Sequence, residues 1–258
     1  MPKENLVLVH SFPTNSILLS GLIHFLQDHF EVYPVDLPGF ISTNPPLRRI
    51  SLDTLSHSLH NQIEKLELPH YIVARISFGF WVATNSKLSR ACRGIIAIEP
   101  YIDVRCLNKQ RISLSKRFFY NAITRLILFL HLEHVIWNSR LWKHHYLGLS
   151  GYKARRSKLI HREIDPRTFF AVANLLLANH TKCTLHQLPH VLIINPEDLT
   201  LDTNYITNYF KNHSWQTLIL KNKIGHYPRK VTKQYFQKKI SKNDIERIYH
   251  FFNSHSKG

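Results

Sequence analysis

Acidic residues are few in this chain of 258: 17 Asp+Glu stand against 34 Lys+Arg, a formal net charge of +17 with all 18 His neutral. Glycine numbers only 8, and no unit of about 20–50 residues recurs, which excludes collagen-like and repeat architectures. Cysteine is limited to Cys92, Cys106 and Cys183, odd in number, widely spaced and without a C-x-x-C pair. That pattern offers no zinc site and no dithiol exchange centre, and it suits a reducing compartment, the cytoplasm. No metal or cofactor is expected. The longest greasy stretch, Phe118 to Trp137, is interrupted by Arg125, His131, Glu133 and His134, whereas a membrane span needs about 20 mostly apolar residues. Met1-Pro2-Lys3-Glu4 runs straight into Leu6-Val7-Leu8-Val9, too short and without the cleavage site of an export signal. What the chain does have is core material, 44% hydrophobic and 12% aromatic, enough for one ordinary domain with an insertion and too much for a disordered basic tail.

The basic surplus is uneven. Between Tyr101 and His190 about 15 Lys/Arg face only Asp103, Glu133, Glu163 and Asp165. A solvated face, an anionic membrane surface, an acidic ligand and nucleic acid are all compatible with it. No zinc-finger spacing, RNA-binding aromatic signature or helix-turn-helix accompanies the charge, so nucleic acid is the weakest of these readings.

Short Val- and Ile-rich runs bounded by polar or Pro/Gly punctuation read as buried parallel strands at Leu6–Val9, Tyr71–Ile76, Gly94–Ile98 and His190–Ile194. Phe30–Val35 and Trp215–Leu220 are shorter candidates. Helical patterns fill the gaps at Ser20–His29, Ser51–Leu66, Phe80–Leu88, Tyr205–Asn212 and Lys242–Phe251. The alternation predicts an α/β fold with a sheet covered on both faces. It stops between Tyr101 and Leu188, where Phe119, Ile123, Leu126 and Leu130 recur at helical spacing and Asp165-Pro166 opens a further helix at Phe169–Ala178. No low-complexity linker flanks this helical stretch, so it is expected to pack on the sheet.

Three segments carry candidate chemistry. Tyr71–Ile76 runs into Ser77, with Gly79 two residues on and a helix beyond. A sharp strand-to-helix turn lifts such a serine clear of the sheet and aims helix N–H groups at a developing oxyanion; a plain strand–serine–glycine turn is the other reading. Asn195-Pro196-Glu197-Asp198 puts carboxylates at the carboxyl end of a strand, where open α/β sheets place their sites; a helix cap or turn is the other role for Asp198. His226, in Gly225-His226-Tyr227-Pro228, lies late in the chain where a general base reaches back over the sheet. The order Ser77, Asp198, His226 is that of a hydrolase triad.

On these residues the chain resembles the α/β-hydrolase superfamily, in the branch with a helical cap inserted after the sixth strand of the family's sheet. The likeness covers nearly the whole chain. His10-Ser11-Phe12-Pro13 stands where the family has a His-Gly-aromatic-Pro loop, and Asp36-Leu37-Pro38-Gly39 matches its Asp-x-Pro-Gly turn. The resemblance implies a mostly parallel sheet of about six strands, the family's opening hairpin being absent. It implies a core of residues 1–100 and 189–258, with 101–188 as the cap. By the same resemblance Ser77 is the nucleophile, His226 the general base and Asp198 the acid, with Glu197, Asp202 and Glu99 as alternative acids. The N–H groups of Phe12 and Phe78 form the oxyanion hole, neither ring being required, and His10 and Ser11 touch substrate.

The pattern departs from the family at Arg75, where a glycine is usual, at Ser11 and at Asn195-Pro196. The leading expectation is a serine hydrolase that cleaves a small-molecule or lipid carboxylic ester through an acyl-enzyme. The alternative is an inactive scaffold of the same fold that binds an anionic partner through its basic cap. Phe118, Phe119, Tyr120, Phe129, Trp137 and Trp142 are expected in the core or lining an apolar substrate arm. A helix over Phe118–Trp137, flanked by Lys116 and Arg117, suits a peripheral place on an anionic membrane as a second role.

Overall fold

The computed structural model describes residues 3–108, 112–147, 151–179, 183, 185–213, 216–221 and 232–255. The apolar runs form strands β1 (Asn5–Val9), β2 (Glu31–Val35), β3 (Tyr71–Ile76), β4 (Cys92–Ile98), β5 (His190–Ile194) and β6 (Thr217–Lys221). They pair in the order β2-β1-β3-β4-β5-β6, every pair parallel, as the alternation of strands and helices implies. Every residue of β3 and β5 is buried, because a sheet covered on both faces leaves no side for water. Pro34 sits in β2, an edge strand, where a missing N–H is tolerated.

Helices α1 (Ser20–Leu26), α2 (Leu52–Glu64) and α3 (Phe78–Thr84) follow the first three strands in turn. Between β4 and β5 come α4 (Leu114–Phe129), α5 (Glu133–Asn138), α6 (Arg140–Leu147), α7 (Gly151–Glu163) and α8 (Pro166–Ala178). Helix α9 (Thr203–His213) follows β5, and α10 (Lys233–Gln237) and α11 (Lys242–His255) follow β6. One face of the sheet is closed by Leu22 and Phe25 of α1, Phe236 of α10 and Ile245 and Phe252 of α11. The other is closed by Leu55, Leu59 and Ile63 of α2, spaced four apart so that they share one side of the helix, with Phe80 of α3 and Phe210 of α9. Trp137, Ile160, Ile164, Phe169 and Phe170, from the segment between β4 and β5, belong to this same apolar cluster. Among the described residues that stretch shows no core apart from the sheet's.

The helix expected over Phe118–Trp137 is broken. His131 takes a left-handed conformation (φ 54°), and Leu132 N–H reaches Ile127 C=O at 2.9 Å, a Schellman ending built without glycine. The aromatic expectation also needs correction: Trp137 is buried, but Phe118, Phe119, Tyr120 and Phe129 lie exposed on α4. The reason is the way α4 meets α8. It turns Asn121, Thr124 and Ile127 inward, and Asn121 Nδ2 donates to Asn174 Oδ1 at 3.0 Å, so the apolar side of α4 points out. Among the described residues no helix is long and apolar enough to cross a membrane.

Since β2 and β3 lie on opposite sides of β1, the chain reverses its direction across the sheet between β1 and β3. In a parallel sheet the crevice outside the carboxyl ends at such a switch point is where ligands bind. The loop after β1 and the turn after β3 frame it.

Candidate active site

Ser77 occupies the turn after β3. Its backbone is left-handed (φ 48°, ψ −112°), a conformation that costs a non-glycine residue roughly 1–3 kcal/mol and persists only where the surroundings impose it. They do: Ser77 N–H donates to Ile98 C=O at 2.9 Å, and Ser77 C=O accepts from the N–H groups of Phe80 (2.9 Å) and Tyr101 (3.2 Å). The turn is thereby riveted to the end of β4 and to the first turn of α3. The N–H of Phe78 is one of the donors in that turn with no place in the helix ladder.

Gly79 lets the turn approach the loop after β1. A Cβ there would sit 2.3 Å from the carbonyl oxygen of His10 and 3.0 Å from that of Val9, both backbone atoms. Gly79→Ala is expected to destabilise the protein by about 1–3 kcal/mol, because the loop must move or the elbow must open. Denaturant midpoints measure this, and an unchanged midpoint would show that the contact relaxes freely.

The loop after β1 is held from three sides. Leu37 N–H donates to Nε2 of His10 at 3.0 Å, which leaves the proton on Nδ1 for the carbonyl of Ser11 at 2.8 Å. Burial lowers the His10 pKa, against the opposing pull of Asp36 and of its bond to Ser11, so the ring is neutral. Ser11 Oγ pairs with Thr14 Oγ1 at 3.0 Å, and Asp36 accepts from Ser16 N–H at 2.7 Å. His10 and Ser11 are both buried, with their polar side-chain atoms engaged inside the loop. Phe12 packs edge-on to Phe40 and Phe78, with centroids 6.3 Å away in each case, and lies 5.1 Å from Phe169 of α8. Both phenyl rings at the candidate oxyanion hole also pack: they hold the loop against the elbow and make an apolar wall.

Carboxyl groups gather one and two strands further on. Glu99, at the end of β4, is buried and left-handed (φ 45°), and its Oε1 accepts from Asn195 N–H. Asp198, after β5, is also buried, with Oδ1 accepting from Thr200 N–H (2.5 Å) and Leu201 N–H (2.9 Å). Burial first, and the charge of Asp198 second, push the Glu99 carboxyl up to about 8, against the bond from Asn195. The other acid candidates stand apart: Glu197 is exposed, and Asp202 Oδ1 caps α9 by accepting from Tyr205 N–H at 3.0 Å. Burial also pushes the thiols of Cys106 and Cys183 up to about 12 and raises that of Cys92, so none supplies a thiolate nucleophile near neutral pH.

Ser77, Glu99 and Asp198 thus stand at the carboxyl ends of the neighbouring strands β3, β4 and β5. His226 lies outside the described residues, in the segment that follows β6. Comparison with known proteins bears on the fold that carries these residues. The chain is similar over 98% of its length to a thermophilic esterase from Thermogutta terrifontis, covering 91% of that chain at 14% identity with a TM-score of 0.66. It is similar over 98% of its length to an epoxide hydrolase from Bacillus megaterium (94% of that chain, 12% identity, TM-score 0.66). To MenH from S. aureus the likeness covers 99% of this chain and 95% of that one, at 13% identity and a TM-score of 0.64. The chain has the α/β-hydrolase fold. No family model matches it. In sequence, 78 residues are 30% identical to an uncharacterized hydrolase of Saccharomyces cerevisiae, a match spanning 30% of this chain and 27% of that relative.

Within the α/β-hydrolase fold, Arg75 is the conspicuous departure. Its side chain is fully buried, and its nearest charged or titratable neighbours include Tyr71 and Cys92, the first residues of β3 and β4, together with Cys183. It also acts on His186 and on His190, the first residue of β5. The guanidinium therefore runs back towards the amino ends of the strands, away from the Ser77 turn. Among the described residues none of its nitrogens has a hydrogen-bond partner, and burial lowers its pKa to about 10, which still leaves it charged near neutral pH. An unpaired buried charge is destabilising, so Arg75→Met is expected to raise stability by about 1–4 kcal/mol. A thermal melt checks this; a fall in midpoint would mean that the cation is compensated inside the core.

Tyr101, Phe40 and Phe169 are parts of the site that sequence reading does not single out. Tyr101 anchors the elbow through its N–H and holds α8 by donating its hydroxyl to Leu176 C=O at 2.5 Å. Its place directly after the run Glu99-Pro100 at a strand end was the one available signal.

Proposed function

We propose that the chain is a serine hydrolase of the esterase or lipase type, cleaving a small-molecule carboxylic ester through an acyl-enzyme on Ser77. One observation carries the reading: a serine in a strained left-handed turn between a buried strand and a helix, at the switch point of the sheet. Esterases and other hydrolases among the similar structures support it.

Ser77 Oγ attacks the ester carbonyl carbon, the carbonyl electron pair moves onto oxygen, and the serine proton passes to His226. The N–H groups of Phe78 and Phe12 receive that oxyanion. As the intermediate collapses, the alcohol leaves with the proton from His226. Water, deprotonated by the same imidazole, then releases the carboxylic acid and restores Ser77. Asp198 orients the imidazole and balances its positive charge. His10 and Ser11 position the Phe12 loop. Residues 101–188 act as a cap on a core of 1–100 and 189–258, with Phe12, Phe40 and Phe169 as the apolar wall beside the serine.

The test is a fluorophosphonate probe together with p-nitrophenyl esters from acetate to palmitate. Labelling at Ser77 and turnover of at least one ester are expected. A folded protein that takes no label and turns over no member of the series overturns the proposal.

A further inference from the structure

Helix α4 is built inside out. With about 3.6 residues per turn, Phe118, Phe119, Leu126 and Phe129 fall within one half of its circumference, opposite the side turned towards α8. Phe118 and Phe129 are 66% and 79% exposed, and Leu141 of α6 is 84% exposed. Arg125 and Lys116, both exposed, stand at the two margins of that half. Contiguous apolar surface of this kind on a soluble fold marks an interaction face.

The charge around it narrows the partner. From Leu107 to Arg162 the sequence holds 12 Lys/Arg and a single acid, Glu133, which is buried. A second copy docking through this face would bring like charge against like charge. Nucleic acid would meet the cations but leave the Phe and Leu side chains without a use. An anionic bilayer takes both: the apolar side chains enter at the level of the acyl chains while Lys and Arg reach the headgroups. We infer that the outer face of α4 seats this protein on anionic membrane surfaces.

The inference does not depend on Ser77 being a nucleophile. It places the membrane one helix away from the proposed site, since α8, against which α4 packs, carries the Phe169 that touches Phe12.

Co-sedimentation with phosphatidylcholine–phosphatidylserine vesicles and with pure phosphatidylcholine vesicles tests it on the full chain. Wild type and Ser77→Ala are expected to bind the anionic vesicles equally, far more weakly the neutral ones, and less as salt rises. Phe118→Ser with Phe129→Ser is expected to weaken binding at least about tenfold, and Lys116→Glu with Arg125→Glu to a comparable extent. These side chains are exposed, so melting temperatures stay near wild type and separate lost binding from lost fold. No sedimentation of wild type, or full binding by the Phe118/Phe129 variant, overturns the inference. So does light scattering that shows a wild-type dimer which those substitutions split while vesicle binding persists, since the face then belongs to a second copy.

Discussion

Ser77→Ala is expected to abolish fluorophosphonate labelling and to lower ester turnover by at least about 10⁴-fold, since nothing else at the turn supplies an activated oxygen. The fold should change little. Ser77 precedes α3 without making a side-chain cap bond, so no helix cap is lost and the melting curve is expected to shift by no more than one hydrogen bond is worth, about 0.5–1.5 kcal/mol. Ser77→Gly separates the two roles of the position further. Glycine adopts φ 48° without penalty, so this variant is expected to be equally inactive yet more stable, by roughly 1 kcal/mol. A stabilised, dead enzyme is what a turn strained for function predicts. Labelling that survives in Ser77→Ala would place the nucleophile elsewhere, and a Ser77→Gly protein less stable than wild type would mean that the turn is not under strain.

Much of this architecture is legible in the chain because burial writes it there. The runs Leu6–Val9, Tyr71–Ile76 and His190–Ile194 are apolar without alternation, as strands covered on both faces must be, and each is a strand. Ser77 and Gly79 are readable for a related reason: a strand that turns at once into a helix leaves room for only one kind of residue where the backbones touch. The inserted helices are harder. The periodicity of Phe119, Ile123 and Leu126 announces a helix correctly, but its apolar side is the exposed one: the side turned to α8 is that of Thr124, Ile127 and the Asn121–Asn174 pair, contacts that lie about fifty residues away in sequence. Its ending at His131 carries no glycine to signal it. Glu99 is readable as an acid at a strand end, but its pairing with Asp198 is not, because that proximity arises from strand order, β4 beside β5, across a gap of about a hundred residues that no local pattern spans. The direction of Arg75 is equally a matter of register: an odd position on β3 faces the same side as Tyr71 and Val73, and the long side chain then folds towards the strand starts.

Asp198→Asn is expected to lower turnover by about 10⁴-fold while Glu99→Gln stays within about tenfold of wild type, although both carboxyl groups are buried side by side. The asymmetry follows from who holds the proton. Burial and then the charge of Asp198 push Glu99 up to about 8, so near pH 7 it is mostly neutral and offers the His226 imidazolium no counter-charge. The unfolded chain releases that proton near the usual 4.5, whereas the folded chain keeps it to about 8. The stability contributed by protonated Glu99 is therefore complete below about 4.5 and lost as pH rises through about 8, on the order of 4 kcal/mol in all. Glu99→Gln keeps an oxygen for the Asn195 N–H and removes the titration, so its urea midpoint should be flat across this window where that of wild type falls. In Asp198→Asn one of the two causes that hold Glu99 neutral is gone; its pKa drops, and it ionises beside the site. The residual activity of Asp198→Asn should then rise with pH as Glu99 takes up the charge, and adding Glu99→Gln should remove that rise and lower turnover further. If Glu99→Gln alone proves the crippling change and Asp198→Asn the mild one, Glu99 is the acid and the buried Asp198 merely closes its turn.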